Sequence, residues 1–345
     1  MASAMRGMAE RMARDCSWSP WPVHRLAILA GIAGLLAAGA LFGLASTVGI
    51  QKALTRLVHP SWPWLVIAVG GELVAYAGYT VAYREVARVE DGAELKVPKA
   101  AALVAAGFGV FVHGGGFALD RMALRRAGLS EKDARRRVLG LGTLEYAVLA
   151  PGALAAAIVV VIWHPTISAS LTLPWIIGPP VGAVLAAVAL RFQARIGHWP
   201  LIGRPLLHTL QALELVLVFV RSPLRHALAF VGTLAYWAGD IFCLWATLHA
   251  FSAQPPPVAQ LVVGYATGYA LTRRALPLGG AGVVEALLPF ALGWLGIALL
   301  PALLAVFAYR LINLWLPMIP ALAGLPALRT LEAAAPARRK VPARA

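Results

Sequence analysis

Stretches of about 20 apolar residues recur along this chain from Leu26 onward, and that recurrence limits the fold more than any other feature. Hydrocarbon offers no water to backbone N–H and C=O groups. A segment that crosses it must satisfy those groups internally, so the chain has to fold as packed helices. Full spans are expected at 26–48, 63–83, 138–162, 173–190, 227–248, 258–275, 283–299 and 301–321. Composition agrees: 60% of the residues are hydrophobic and 13% charged, against about 25% charged in soluble domains. The expected fold is all-α, a polytopic integral membrane helical bundle with eight spanning helices.

Two more apolar segments, 99–118 and 205–220, are ambiguous, and the basic residues decide how to read them. Lys and Arg mark cytoplasmic loops. If both segments enter and leave by one face, the cytoplasmic side collects all but Lys52, Arg56 and Arg310 of the 30 Lys and Arg residues. The loops 164–172 and 249–257 then carry none. A full crossing at 99–118 would instead expose the basic run from Arg121 to Arg137 outside. A re-entrant hairpin is expected there, with His113-Gly114-Gly115-Gly116 at its tip and both termini cytoplasmic. The segment 205–220 keeps its polar residues, Glu214 among them, on one face, so it is re-entrant or interfacial. The net charge of +15 is explained by these orientation signals, and nucleic acid is not an expected partner.

Three regions follow: a basic cytoplasmic tail over 1–25, a membrane domain over 26–325, and a basic, Pro/Ala-rich tail over 326–345 that is expected to be disordered. The first apolar run is too long for a cleaved signal and reads as a retained helix of a cell-membrane protein. Cys16 and Cys243 stand far apart, in no disulfide framework and no metal spacing.

Between Leu276 and Glu285 the chain reads LPLGGAGVVE. A proline and the glycines Gly279, Gly280 and Gly282 interrupt the helix at membrane depth. Such a break persists only where it is buried in protein or lines a wet cavity, so it points to a binding site. Gly114–Leu124 (GGGFALDRMAL) resembles Gly279–Pro289 (GGAGVVEALLP), each running glycines, apolar residues and a carboxylate, Asp120 or Glu285. This weak internal repeat is of the kind that brings broken helices together near the midplane of transporters.

Glu72, Glu145, Asp240 and Arg310 lie inside apolar spans. Each costs roughly 2.5–3.5 kcal/mol at a bilayer centre, so they face the protein interior or a cavity. Glu72, Asp240 and Glu285 are all candidate partners of Arg310. Carboxylates outnumber the arginine, which suits protonatable groups or a cationic or zwitterionic headgroup. Arg273 and Arg274, just before the break, are either a cytoplasmic anchor or a phosphate clamp. The stretch RMALRRAGLSEKDARRR from Arg121 is either an orientation signal on a solvated helix or a basic face for anionic headgroups. The expected headgroup cavity is lined by Glu72, Asp120, Glu145, Asp240, Arg273, Arg274, Gly279, Gly280, Gly282, Glu285 and Arg310.

No phosphate-binding G-x-x-x-x-G-K-[ST] loop and no H-E-x-x-H motif occurs, so no cofactor or metal is expected and the chain does not read as an enzyme. The stretch Leu276–Glu285, followed by Tyr309-Arg310-Leu311, resembles the C-terminal signature of the flippase-like domain, the transmembrane region of lysylphosphatidylglycerol synthases. The resemblance covers roughly 25–325. Where the family's first half usually carries Gly-Glu and an arginine, Asp120 and Arg121 stand nearest, and Tyr146 follows Glu145 where the family often has Arg. The resemblance implies a module that binds or translocates membrane lipid, an anionic or aminoacylated phospholipid. It does not imply lysine transfer, because no aminoacyl-transferring domain is expected here. Two alternatives stand beside it. One is a membrane-embedded enzyme on a lipid-linked substrate, with Asp120 and Glu145 as acid and base. The other is a non-transporting partner of a lipid-modifying enzyme; a homo-oligomer is compatible with any of these.

Overall fold

A computed structural model describes residues 23–109, 116–196, 203–270 and 280–317, and all regular structure among them is helical. The chain opens with α1 (Val23–Val48), the short α2 (Ile50–Leu57), α3 (Trp62–Arg88) and α4 (Val97–Gly109). It continues with α5 (Gly116–Arg126), α6 (Glu131–Trp163), α7 (Ala169–Arg191), the single turn α8 (Gln193–Ile196) and α9 (Gly203–Arg221). The last helices are α10 (Ala227–Ala250), α11 (Val258–Tyr265), α12 (Val283–Trp294) and α13 (Leu299–Arg310). Helices α11 and α13 each run on into a π turn, Ala266–Ala270 and Leu311–Trp315. Among the described residues four helices, α3, α6, α7 and α10, are long and apolar enough to cross a membrane.

The pair α3 and α10 forms the centre. Gly71 and Gly78 on α3 and Gly232 and Gly239 on α10 are spaced by seven residues, two helical turns, so each pair lines one face. A Cβ on Gly71 would lie 2.9 Å from the Gly239 carbonyl oxygen, and one on Gly78 2.5 Å from that of Gly232. Gly71 meets Gly239 and Gly78 meets Gly232, so the helices run antiparallel. The Ser61 N–H donating to the Ala250 carbonyl (2.8 Å) closes one end. Small residues let membrane helices approach backbone to backbone, where dispersion replaces the missing hydrophobic drive. By contrast α7 is only 6% buried over its apolar window, against 50% for α10. Its exposed Ile177, Val184 and Leu185 belong to a rim helix.

The later expected spans are described in part. The segment 258–275 is α11 and a π turn, followed by residues outside the described set. The segment 283–299 ends as helix at Trp294, where the chain turns through Gly296 (φ +89°), and 301–321 is described only to residue 317. Helix α12 holds 12 residues, roughly 18 Å at 1.5 Å per residue, short of the ~30 Å hydrocarbon core; α13 with its π turn runs from Leu299 to Trp315. The cause is local: left-handed turns at Gly282 and Gly296 end the helix on both sides of α12. The segment 99–118 divides into α4 and α5, which pack against each other. His113 and the expected hairpin tip lie outside the described residues. The segment 205–220 is one helix, α9, whose Leu215 packs into the space left by Gly140 of α6.

Candidate functional site

The glycine contacts of α3 and α10 carry charge with them. Glu72 follows Gly71 and Asp240 follows Gly239, so the closest backbone approach brings two carboxylate-bearing turns together, both buried. Asn313, on the π turn after α13, bridges them. Its Nδ2 donates to Asp240 Oδ1 at 2.8 Å and lies 3.4 Å from Glu72 Oε2. Asp240 also accepts from the hydroxyls of Tyr265 and of Tyr309, the latter at 2.8 Å. The Tyr269 hydroxyl donates to Asn313 Oδ1 at 2.8 Å, which fixes the amide with its N–H groups toward the carboxylates.

Local geometry explains the convergence. Tyr265 and Tyr269 are four residues apart, as are Tyr309 and Asn313, so each pair shares a helix face. The two π turns lie where these faces meet; the Leu316 N–H reaches back five residues to the Leu311 carbonyl at 2.7 Å. A π turn widens the helix by one residue and recurs at functional sites.

Arg310 donates through Nε to Glu285 Oε1 at 2.8 Å, the two side chains 2% and 0% exposed. Of its three sequence candidates, Glu285 is the partner found. The guanidinium also lies 5.8 Å from the centre of the Tyr269 ring. The other oxygen of Glu285, Oε2, accepts the Gly282 N–H at 2.7 Å. Glu285 is the third residue of α12 and Gly282 its N-cap, so one carboxylate both caps a half-length helix and neutralises the arginine. Gly282 takes φ +84°, and a Cβ there would stand 3.2 Å from Leu36 of α1. Glycine meets both demands. Gly280, at φ +70°, is buried at the same entry.

Glu72, Asp240, Glu285 and Arg310 are thus assembled around Tyr269 and Asn313, with Gly280 and Gly282 at the edge. Asp120 and Glu145 are placed elsewhere. Asp120, buried on α5, lies beside the Tyr83 hydroxyl of α3. Glu145, buried on α6, accepts the Trp237 indole N–H on its backbone carbonyl at 2.9 Å, and Trp237 in turn stands edge-on to Tyr265. Arg273, Arg274 and Gly279 lie outside the described residues. The expectation missed Tyr265, Tyr269 and Asn313. Their signal was the pairing Tyr265/Tyr269 and Tyr309/Asn313 at helical spacing, which uncharged side chains do not advertise.

The cluster can hold charge of either sign. Arg310 is bonded to Glu285 while Glu72 and Asp240 meet Asn313, so the cluster offers carboxylate acceptors for a cationic group and one guanidinium donor for a phosphate. Apart from the cluster, a polar recess of about 540 Å³ lies between the α3–α4 turn and the α9–α10 loop, lined by Arg88, Glu90, Asp91, Glu94, Arg225 and His226. Two of its charges are already bound, Arg88 to Glu85 at 2.8 Å and Glu90 to Arg136 at 2.6 Å.

No protein-family model matches the chain, and no curated protein matches it either.

Proposed function

We propose that this protein is a multi-pass cell-membrane protein that binds a charged lipid headgroup among its helices and moves the lipid between leaflets. The buried group of Glu72, Asp240, Glu285, Arg310 and Asn313 carries the reading. Such charges are costly in a membrane and mark substrate pathways or proton relays. Here they meet at two π turns and the start of a half-length helix, the backbone irregularity that lines binding sites in transporters. The excess of carboxylates favours a headgroup bearing an ammonium beside its phosphate. The stretch that resembles the flippase-like domain's signature includes the same residues, Gly280, Gly282, Glu285, Tyr309 and Arg310.

The order of elements supports the same reading. Among the described residues a long helix, two short helices and a further helix follow one another twice, as α3–α6 and as α10–α13. The leading helices α3 and α10 are antiparallel, which is what inverted repeats would require. In this reading α4–α5 and α11–α12 are paired re-entrant arms, the termini are cytoplasmic, and the expected spans 258–275 and 283–299 are arms rather than crossings.

Reconstituted in liposomes, the protein is expected to speed lipid exchange between leaflets, and Glu285→Gln and Arg310→Ala to abolish most of that rate. Unchanged rates in both folded variants would remove this site from the mechanism.

A further inference from the structure

Five arginines of the basic stretch from Arg121 to Arg137 fall into two groups with different bonding. Arg136 and Arg137 are committed. Arg136 reaches Glu90 at 2.6 Å and Arg137 reaches the Val89 carbonyl at 2.6 Å, tying α6 to the end of α3. Arg121, Arg125 and Arg135 instead converge on a single carboxylate, Glu131, at 3.5, 3.0 and 3.3 Å. Helical spacing aligns them: Arg121 and Arg125 share a face of α5, while Glu131 and Arg135 share a face of α6. The three guanidinium side chains remain 34–47% exposed. Charge-assisted N–H···O bonds close to about 2.7–2.9 Å when donor and acceptor match; here every contact is longer. One carboxylate leaves two positive charges uncompensated and cannot offer two oxygens to each fork. Arg135 adds its NH1 contact to His208 of α9 at 3.0 Å, which holds it in place.

We infer that this arginine triad is a binding site for the phosphodiester of an anionic membrane lipid, with Glu131 occupying it when no lipid is bound. A phosphodiester carries a full negative charge on two non-bridging oxygens and accepts guanidinium forks bidentately. The position favours a lipid over a soluble phosphate. Helix α6 is a membrane-length helix, and the triad gathers at its charged end, where Glu131 and Arg135 precede the apolar run that begins at Val138 by two turns and by one. That is the depth of headgroups, where each basic residue contributes about 1 kcal/mol toward anionic lipid. The site is separate from the buried cluster and stands or falls independently of it.

The test is native mass spectrometry of the whole protein released from phosphatidylcholine membranes doped with phosphatidylglycerol. Parallel arms present inorganic phosphate and glycerol phosphate. The wild type is expected to retain phosphatidylglycerol over phosphatidylcholine at least fivefold. Arg121→Gln with Arg125→Gln should bring that preference close to one, with Arg135 and its His208 contact left intact. Glu131→Gln should raise retention severalfold, because it removes the competing carboxylate. A merely structural triad predicts the opposite for Glu131→Gln: lower thermal stability and no gain in retention. An unchanged preference in the double arginine variant, or no gain with Glu131→Gln, overturns the proposal. Binding of millimolar phosphate that displaces the lipid overturns its lipid source.

Discussion

Arg310 shows how little a charge inside a membrane protein can be moved. Its guanidinium is 2% exposed and its partner Glu285 is fully buried. Removing one member of such a pair leaves an uncompensated charge and costs roughly 3–5 kcal/mol, whereas replacing both by apolar residues is often near neutral. Arg310→Met is therefore expected to lower the unfolding temperature in detergent strongly, and Arg310→Met with Glu285→Leu to regain much of the loss. If the double variant fell by the sum of the two single ones, the pair would not be coupled as the geometry requires. The same paragraph of sequence that displayed Glu285 and Arg310 hid Asn313. Charges in apolar stretches announce themselves, because their insertion cost demands a reason. An asparagine or a tyrosine costs less, and only the folded chain shows Asn313 reaching both Glu72 and Asp240.

At the level of elements, α3 and α10 depend on glycines that carry no side chain toward each other. A Cβ at Gly78 would meet the Gly232 carbonyl oxygen at 2.5 Å and the Tyr236 nitrogen at 2.7 Å, both backbone. Gly78→Ala should cost on the order of 1–3 kcal/mol by overpacking. Gly70→Ala, next to Gly71 but on an exposed face with nothing within 4 Å, should be neutral or slightly stabilising. Equal effects in thermal unfolding would mean that the helices do not approach this closely. Gly282→Ala combines φ +84° with the contact to Leu36 and should destabilise the start of α12, seen as faster hydrogen exchange at Val283–Glu285. Long apolar helices were legible in the sequence because hydrophobicity sustained over 20 or so residues has no other use. The short helices around the breaks were not. Their ends depend on left-handed glycines and π turns, whose placement is set by packing against α1 and α10 rather than by local pattern.

For the molecule as a whole, the antiparallel centre and the repeated order of elements place the α3–α4 turn and the α10–α11 loop at opposite ends. Single cysteines at Asp91 and Ser252, in a background with Cys16 and Cys243 replaced by serine, should label oppositely in intact cells. A membrane-impermeant maleimide is expected to reach position 252 and not 91. Labelling of both positions from outside would break the proposed inverted arrangement. The central claim is that a charged headgroup enters the cluster of Glu72, Asp240, Glu285 and Arg310. Photo-crosslinking with a phospholipid that carries a diazirine on an ammonium-bearing headgroup tests it most directly. The account predicts adducts on peptides that contain Asp240, Glu285 or Arg310, lost on competition with the unlabelled lipid and reduced at least fivefold in Glu285→Gln. Adducts confined to the lipid-facing side chains of α7, with none at the cluster, would contradict it.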